Sequence, residues 1–401
     1  MLTMIHANGA RVDNGMFRVD RKFHTGMVAY AQTIHAPLTT VHPENQAGSE
    51  AIDTIAVPVK DLPYRVMTLK TDAKSRLLDD QRSLLEQQIA QSDLVYGMGM
   101  GFAELARRHH VPYIMVEEYD LQTRIVVART QVAGALHKLV RTARTAWHYA
   151  KELLPEARHA LAIHCNGYPI YDALSSANDH RLLYLDSRMY ADMVIAERAL
   201  EDRLAGDTAK PIRLLYSGRY EPLKGATDAV RVGIAALQRG LNVEMHCYGS
   251  GSQLDEMKRL ADSAPVAGRI VIHDAVTYPE LVVLSRDFDV FVCCHIQGDP
   301  SCTYLESFGS GLPIVGYGNR MWRRLSEQSG AGFWSPLRDP AAVVGTLAQL
   351  VGDRARLAAM SRKAREFALA HTFEREFALR TEALNTVLAT RAPAAETLRP
   401  A

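Results

Sequence analysis

Short apolar runs alternate with longer amphipathic segments through the second half of the chain. The apolar runs have the length of strands and several end in glycine, so we predict strands at residues 212–219, 242–251, 269–276, 290–296 and 314–317. The amphipathic segments predict helices at residues 225–240, 253–264 and 279–287, and a short helix that begins near Asp299 or Ser301. Strands that are apolar on both faces and alternate with helices form a parallel sheet between helical layers. We therefore predict a doubly wound α/β domain, whose ligands bind at the carboxyl ends of its strands.

The first half of the chain repeats this alternation less regularly. Its apolar runs predict strands at residues 51–57, 65–69, 93–96, 112–116, 160–164 and 181–185. Long helical patterns lie between these runs, at residues 77–91 and 123–153. The first half is therefore also predicted to be α/β.

A polar segment that contains glycine and proline, residues 201–211, separates the two halves. Because 401 residues are too many for one ordinary core, we place a domain join here. The predicted first domain is 1–205 and the second is 206–375. Residues 376–401 are predicted to be the end of a helix and a disordered tail rich in proline and alanine. The helical C-terminus, residues 339–388, is expected to pack back across the join.

The composition excludes several classes of protein. Lys and Arg number 46 and Asp and Glu 45, so net charge attracts neither nucleic acid nor an anionic membrane, although a local basic patch and peripheral membrane contact stay open. The five cysteines lack the spacing of a zinc site or a disulfide scaffold, which favours the cytoplasm. No apolar run reaches the roughly 20 residues of a membrane span, and the N-terminus does not have the pattern of a signal peptide.

The segment "SGRYEPLKG" follows the strand predicted at 212–219. Gly218 and Arg219 end the strand, and Lys224 begins the next helix, so both cations are expected at the carboxyl edge of the sheet. A helix N-terminus adds free N–H groups and partial positive charge. The segment therefore predicts a pyrophosphate site, although two solvated surface cations would fit the same pattern.

The segment "YGSGS" is a second glycine turn between a strand and a helix. Gly249 and Gly251 would allow a ligand to approach the backbone closely. Most such turns only reverse the chain, and this one does not match GxGxxG.

The segment "GDPSCTYLESFG" places a carboxylate, Glu306, in a short helix. The letters "TYLE" match a capping box, in which Glu306 would cap its own helix. The alternative uses the small residues Ser301, Cys302 and Thr303, whose N–H groups would face an anion while Glu306 accepts hydrogen bonds from a sugar diol. Both interpretations fit the sequence.

These segments, taken in order, resemble a known family. The chain carries Gly-Arg after a strand, then Lys-Gly, a Gly-x-Gly turn, "IHDAV" followed by "PEL", "DVFV", and a Glu-bearing loop before "SGLPIVG". From residue 212 to about residue 350 it resembles the nucleotide-binding domain of retaining glycosyltransferases of family GT4 (glycosyltransferase group 1). The resemblance implies the GT-B fold, in which two Rossmann-like, doubly wound domains face a central cleft.

The resemblance also implies roles for the site residues. Arg219 and Lys224 would hold the diphosphate of a UDP- or GDP-hexose donor, and Glu306 would bind its ribose. The backbone at His273, Asp274 and Ala275 would contact the base. No obligatory cofactor or metal is implied.

The chain departs from the family at one acidic position. Members usually carry two glutamates separated by seven residues, but Gly298 occupies the place of the first. Asp299, one residue later, is the candidate replacement and would contact the transferred sugar.

The acceptor side of the cleft is expected in the first domain. The strand at 112–116 leads into "EEYD", where Glu118, with Glu117 and Asp120, would orient a sugar, unless this is a solvated acidic loop. In "DRKFHTGM", Lys22 and His24 would reach the phosphates across the cleft, unless this is an ordinary basic surface loop. The turn at Asn166-Gly167 is a further candidate for the cleft.

The predicted reaction is transfer of a hexose to a hydroxyl of a glycan, lipid-linked or small-molecule acceptor, with retention, in polysaccharide or glycoconjugate biosynthesis. Two rivals remain. One is a sugar-nucleotide 2-epimerase of the same fold, and the other is an inactive nucleotide-sugar-binding protein, which the missing first glutamate favours.

Overall fold

The computed structural model describes residues 1–45, 53–72, 76–264 and 268–390. Within these ranges the strands are β1 Leu2–Ile5, β2 Arg11–Asp13, β3 Met16–Asp20, β4 Leu38–Pro43, β5 Thr54–Pro58, β6 Arg65–Leu69, β7 Leu94–Gly97, β8 Tyr113–Glu117, β9 Ala162–Asn166, β10 Arg181–Tyr184, β11 Ile212–Ser217, β12 Val243–Tyr248, β13 Ile270–His273, β14 Val290–Cys293, β15 Ile314–Tyr317 and β16 Gly332–Ser335. The helices are α1 Arg21–Thr33, α2 Asp79–Ala90, α3 Phe102–Arg108, α4 Leu121–Thr130, α5 Ala135–His148, α6 Leu154–His159, α7 Tyr168–Ala173, α8 Glu197–Leu204, α9 Ala226–Gln238, α10 Leu254–Ser263, α11 Tyr278–Ser285, α12 Thr303–Gly309, α13 Arg320–Ser329, α14 Pro340–Val351, α15 Arg354–Ala370 and α16 Phe373–Ala389.

The second half forms a parallel sheet of six strands in the order β13-β12-β11-β14-β15-β16. All five strands predicted from apolar runs are present, and β16 is the additional one. The core strands are apolar on both faces because helices cover the sheet on both sides. The doubly wound α/β class predicted for this half is therefore confirmed.

The first half forms a parallel sheet of seven strands in the order β10-β9-β8-β7-β1-β4-β6. Two of its inner strands, β1 and β4, were not predicted, since threonines interrupt their apolar pattern. The buried hydroxyls form hydrogen bonds inside the protein, since Thr3 Oγ1 lies 2.7 Å from Ser92 Oγ and Thr40 Oγ1 lies 2.7 Å from His42 Nε2.

A small antiparallel sheet, β2-β3-β5, lies beside the first sheet. The strand predicted at 51–57 corresponds to β5, and its first two residues lie outside the described ranges. This strand is present, and it pairs antiparallel with β3 outside the parallel sheet.

The helical stretch predicted at 123–153 is divided into several helical elements. The chain forms α4, turns, and continues as α5 and a π-helical turn at Tyr149–Leu153. Gly134 makes the break possible, since it precedes α5 with φ +80°, a conformation that other residues rarely adopt.

The C-terminal helix α16 returns to the first sheet, as expected for 339–388. Asn385 donates to the carbonyl of Thr33 at 2.8 Å and accepts from the N–H of His35 at 3.0 Å. The Arg380 guanidinium lies 4.3 Å from the centre of the Tyr184 ring. The tail predicted to be disordered begins beyond α16 and lies outside the described residues. The domain limits at 205/206 and 375/376 remain a proposal.

Candidate functional site

Lys224 and Asp299 meet at the carboxyl edge of the second sheet. Lys224 ends a 3-10 turn after β11, and Asp299 lies in the loop after β14. Gly225 brings the two together, because a Cβ at this position would lie 2.0 Å from the carbonyl oxygen of Cys294. Lys224 Nζ donates to Asp299 Oδ2 at 2.7 Å, and both side chains are buried. The sequence predicted that both face the ligand, and the structure pairs them with each other.

The Lys224 ammonium controls the charge of Asp299. Burial alone would raise the pKa of this carboxyl. Lys224 and other neighbours lower it by a larger amount, so the pKa lies below its usual value. Asp299 Oδ1 is buried and has no hydrogen-bond partner among the described residues. The carboxylate is therefore charged, and its buried Oδ1 retains capacity to accept a further hydrogen bond.

Arg219 lies exposed on the rim of the same edge. Burial lowers the pKa of His295 to about 3, and the positive charges of Lys224 and Arg219 both add to this effect. The two cations therefore act on the same part of the sheet edge, as the sequence predicted.

Glu306 lies in α12 and does not cap it. The helix begins at Thr303 after Cys302, which caps it with no side-chain hydrogen bond, and the Thr303 hydroxyl accepts from Ser301 Oγ at 3.1 Å. Glu306 Oε1 instead accepts from Arg188 Nε at 2.5 Å. The capping-box interpretation of "TYLE" is therefore wrong. A capping box does form at Thr277 and Glu280, at the start of α11.

Arg188 is a site residue that sequence reasoning missed. Its guanidinium lies 3.9 Å from the centre of the Tyr278 ring, and Tyr278 donates its hydroxyl to the carbonyl of Arg188 at 3.1 Å. Burial lowers the pKa of Arg188, but the Glu306 carboxylate outweighs it and raises the pKa above its usual value. The segment after β10 carries no motif, so no local signal indicates this contact.

Lys22 crosses from the first domain to the start of α12. It forms an ion pair with Asp186, and its Nζ lies 3.1 Å from Cys302 Sγ. His24 does not accompany it, because His24 Nδ1 lies 2.9 Å from the Tyr64 hydroxyl. Of the two residues predicted to reach across the cleft, the structure places only Lys22 against the second domain.

The three carboxylates of "EEYD" have separate environments. Glu118 accepts from Asn166 Nδ2 at 3.1 Å and lines a cavity of about 210 Å³. Glu117 pairs with Arg124, and burial raises its pKa to about 7. Asp120 caps α4 and pairs with Arg320 of α13. The predicted acidic cluster therefore supplies one cavity residue, Glu118.

Several charged groups surround Glu118 in that cavity. Lys22, Asp186 and Arg380 also line it. Burial raises the pKa of Glu118, and the Asp186 carboxylate adds to this shift. Asn166, predicted near the cleft, joins the group, because its Oδ1 accepts from the N–H of Asp186 at 3.0 Å.

The predicted base-contact segment follows β13. The His273 ring stacks on Tyr248 with centroids 4.2 Å apart, and its carbonyl accepts from the Tyr220 hydroxyl at 2.7 Å. Asp274 and Ala275 are exposed. Base contact by their backbone remains a prediction, while the carbonyl of His273 already has a donor.

The glycines of "YGSGS" allow two loops to pack on each other. A Cβ at Gly249 would lie 2.0 Å from the carbonyl oxygen of Gly218, and one at Gly251 would lie 2.6 Å from that of Tyr220. The close approach predicted for a ligand is made here by the chain itself. Gly218 also donates its N–H to Tyr248 at 3.1 Å, which joins the ends of β11 and β12.

Gly298 faces the first domain. A Cβ there would lie 3.3 Å from Thr123 Oγ1 and 3.4 Å from the Cβ of Arg320. A Cβ here would need these neighbours to shift by a few tenths of an ångström, and a cavity of about 290 Å³ adjoins the position. In the part of the chain that the structure describes, no group of three or more His, Cys, Asp or Glu side chains is arranged to hold a metal ion. Across the same ranges, no helix combines the length and apolar character needed to span a membrane.

Comparison with known proteins supports the resemblance found in the sequence. Residues 201–367 match the model of the family described as glycosyl transferases group 1. No curated protein matches the sequence.

Solved structures match over nearly the whole chain. Alr3699/HepE from Anabaena, in complex with UDP, is 12% identical, with 98% of this chain and 99% of that chain covered and a TM-score of 0.65. Sucrose-phosphate synthase (tll1590) from Thermosynechococcus elongatus is 14% identical, with 97% and 99% covered and a TM-score of 0.66. WaaG, a glycosyltransferase involved in lipopolysaccharide biosynthesis, is 12% identical, with 96% and 99% covered and a TM-score of 0.61. At these identities the likeness establishes the fold.

Proposed function

Because this chain has the fold of GT-B glycosyltransferases and its residues 201–367 match the glycosyl transferases group 1 family, we propose that it transfers a hexose from a nucleoside diphosphate to an acceptor hydroxyl with retention. One observation carries the proposal. Lys224, the start of α12 and Glu306 converge at the carboxyl edge of the second sheet, where a doubly wound sheet binds its ligands. Their chemistry is complementary to a diphosphate joined to a ribose.

The cations of the edge stabilise the leaving diphosphate. Lys224 and Arg219 act on the charge that develops as the anomeric C–O bond breaks, and the N–H groups of Cys302 and Thr303 add to them. The N–H of Ser301 does not, because it donates to the carbonyl of Asp299 at 2.9 Å. The acceptor oxygen forms its bond on the same face of the sugar, and its proton passes to the departing phosphate oxygen. Atoms and charge then balance without a protein nucleophile.

The carboxylates position the sugars. Glu306 accepts from the ribose hydroxyls, and the free Oδ1 of Asp299 accepts from a hydroxyl of the transferred hexose. Glu118, across the cleft, accepts from the acceptor or the donor sugar.

The donor base is proposed from chemistry and likeness together. HepE structures contain UDP, UDP with glucose, or UDP-glucose. Uridine and guanosine diphosphate hexoses are therefore the first donors to test. The acceptor stays open among glycan, lipid-linked and small-molecule hydroxyls, and the pathway is proposed as polysaccharide or glycoconjugate biosynthesis. We place the protein in the cytoplasm because Cys165, Cys247, Cys293, Cys294 and Cys302 are all free thiols.

A screen of sugar nucleotides tests the proposal. A donor that binds only the folded chain raises its melting temperature, by an amount that grows with concentration above Kd. We expect one nucleoside diphosphate hexose to raise it more than the matching nucleoside diphosphate, and to be turned over when acceptors are added. A change of sugar stereochemistry without acceptor would identify an epimerase. Binding with neither transfer nor slow hydrolysis would identify the inactive protein that Gly298 favours.

Activity is expected to survive EDTA. Lys224 and Arg219 supply the positive charge that a divalent cation would otherwise bring to the diphosphate. Initial rates before and after chelation, with magnesium or manganese added back, measure this. Loss of activity with EDTA and its recovery with added metal would contradict the metal-free mechanism, but would not contradict the proposed donor binding.

A further inference from the structure

A cavity of about 290 Å³ lies between α4 of the first domain and α13 of the second. Gly298, in the loop after β14, lines this cavity. The next residue, Asp299, is the proposed contact of the transferred hexose. The cavity therefore begins one residue away from the proposed site of the transferred sugar, and the proposed function leaves it without a role.

The charged residues that line this cavity are all cations. They are Arg320 and Arg323, and among the described residues no Asp or Glu side chain lines it. The cavity of about 210 Å³ in the first domain, by contrast, is lined by charges of both signs. Val126, Ile296 and Leu337 supply apolar walls. Charges of one sign between apolar walls attract an anion more strongly than the same charges do in open water.

The Arg323 guanidinium is held in place by neutral groups. Its Nε donates to the carbonyl of Gly318 at 2.7 Å, and its central carbon lies 4.3 Å from the centre of the Trp334 ring. In the described part of the chain Arg323 forms no ion pair, and its two terminal nitrogens have no hydrogen-bond partner. A guanidinium fixed in this way can donate both terminal N–H groups to one carboxylate.

Arg320 presents its charge to the cavity although it already has an anionic partner. Its Nη1 donates to Asp120, whose side chain is buried, caps α4 and does not line the cavity. A ligand in the cavity therefore meets the Arg320 guanidinium and not the Asp120 carboxylate.

We propose that this cavity binds the carboxylate of the transferred sugar, so that the donor is a nucleoside diphosphate hexuronic acid. Asp299 and Lys224 keep the roles they have in the proposed function, on which this inference rests. A planar carboxylate matches the two terminal N–H groups of Arg323. A neutral hexose brings no charge to the cavity and gains only the weaker hydrogen bonds of a hydroxyl.

The glycine at position 298 agrees with an acidic sugar. A glutamate there would bring a carboxylate beside Arg320, whose Cβ lies 3.4 Å from a Cβ built at Gly298. That carboxylate would compete with the carboxylate of the sugar for the two arginines. The departure from the family pattern therefore leaves the cavity free of negative charge.

Calorimetry on the full chain tests the proposal with pairs of sugar nucleotides that differ only at C6. The pairs are UDP-glucose with UDP-glucuronic acid, UDP-galactose with UDP-galacturonic acid, and GDP-mannose with GDP-mannuronic acid. We expect one acid to bind roughly ten- to a hundredfold more tightly than its neutral partner, because a charge-assisted contact replaces a neutral one. If no acid binds more tightly than its neutral partner, the proposal is wrong.

Arg323→Gln should lower the preference for the acid by roughly tenfold or more. Arg323→Lys should keep part of the preference, because it retains the charge without the two parallel N–H groups. Arg324→Gln is the matched control, since this exposed arginine of the same helix pairs with Asp172 and Glu327 and does not line the cavity. The ratio of affinities within a pair is the measurement, because a purely structural role would weaken both ligands alike.

Two variants at Gly298 separate charge from size. Gly298→Glu should abolish the preference for the acid, whereas Gly298→Gln, which has the same length and no charge, should keep part of it. Melting temperatures show whether both variants fold, since a side chain here needs its neighbours to shift slightly. An equal loss of preference in the two variants would contradict the proposal.

The failure of this inference is distinguishable from the failure of the proposed function. If neither uridine nor guanosine diphosphate sugars bind, the donor site itself is wrong. If they bind with equal or greater affinity for the neutral hexose, only the acidic donor is wrong. A preference for the acid that survives in Arg323→Gln would also overturn the role of this cavity.

Discussion

Lys224→Ala is expected to remove most transferase activity while the chain stays folded. The ammonium is the buried cation of the candidate diphosphate site. A charge-assisted contact to phosphate is worth roughly 1.5–3 kcal/mol. At about 1.4 kcal/mol per tenfold, kcat/KM should fall by between ten- and over a hundredfold. Arg219→Ala should have an effect of the same order, and because Arg219 is exposed, its loss leaves no buried charge behind.

The ion pair with Asp299 gives Lys224→Ala a second consequence. Without the ammonium, Asp299 stays buried with no cation 2.7 Å away, and stability should fall. The double variant Lys224→Ala/Asp299→Ala separates the two effects, because it removes the unpaired carboxylate as well. We expect it to recover melting temperature and to stay inactive.

Arg231→Ala is the matched control. Arg231 lies in α9, the helix that follows Lys224, but its ion pairs with Asp228 and Glu256 are at the surface. Surface pairs contribute little, so activity and stability should be close to wild type. Near-wild-type turnover of both Lys224→Ala and Arg219→Ala would show that the pyrophosphate site is misplaced.

The parts of the site that were predicted from sequence are local. Lys224 and Asp299 each follow a continuously apolar strand, and parallel strands bring their carboxyl ends to one edge of the sheet. Glycine and proline mark the turns that follow these strands. Because both residues come shortly after strand ends, the sequence was enough to predict that they lie close together.

The parts that sequence reasoning missed depend on distant packing. Strands β1 and β4 lie inside the first sheet, but their threonines interrupt the apolar pattern of the sequence. Only the structure shows that Ser92 and His42 form hydrogen bonds with these threonines. Arg188 reaches Glu306 across 118 positions of chain, and Lys22 reaches Cys302 across 280. No residue near Arg188 or Lys22 in sequence indicates these partners.

Both candidate ligand-binding carboxylates already have a cation. Asp299 is paired with Lys224 of its own domain, and Glu306 with Arg188, which precedes the domain join. A diphosphate would compete with Asp299 for Lys224, whereas a ribose brings donors and can share Glu306 with Arg188. Donor binding is therefore expected to change the partner of Lys224 and to keep the Glu306 pair.

Glu306→Gln is expected to weaken nucleotide binding by removing a ribose contact. The glutamine keeps the shape of the side chain but accepts more weakly from a diol, because it lacks the negative charge. Ribose hydroxyls without good partners in a partly dry cleft cost about 1–3 kcal/mol. Affinity should therefore fall between five- and over a hundredfold, at about 1.4 kcal/mol per tenfold.

The rival explanation is that Glu306 serves only to hold Arg188. Arg188→Gln separates the two, because it breaks the same ion pair and leaves the carboxylate in place. Calorimetry should be run on both variants with the nucleoside diphosphate and with its 2′,3′-dideoxy form, which lacks the diol. If Glu306 binds ribose, wild type and Arg188→Gln both prefer the nucleotide with the diol, and Glu306→Gln loses most of that preference. An equal loss of affinity for the two nucleotides in Glu306→Gln, or no loss at all, would leave the Arg188 pair as the whole role of Glu306.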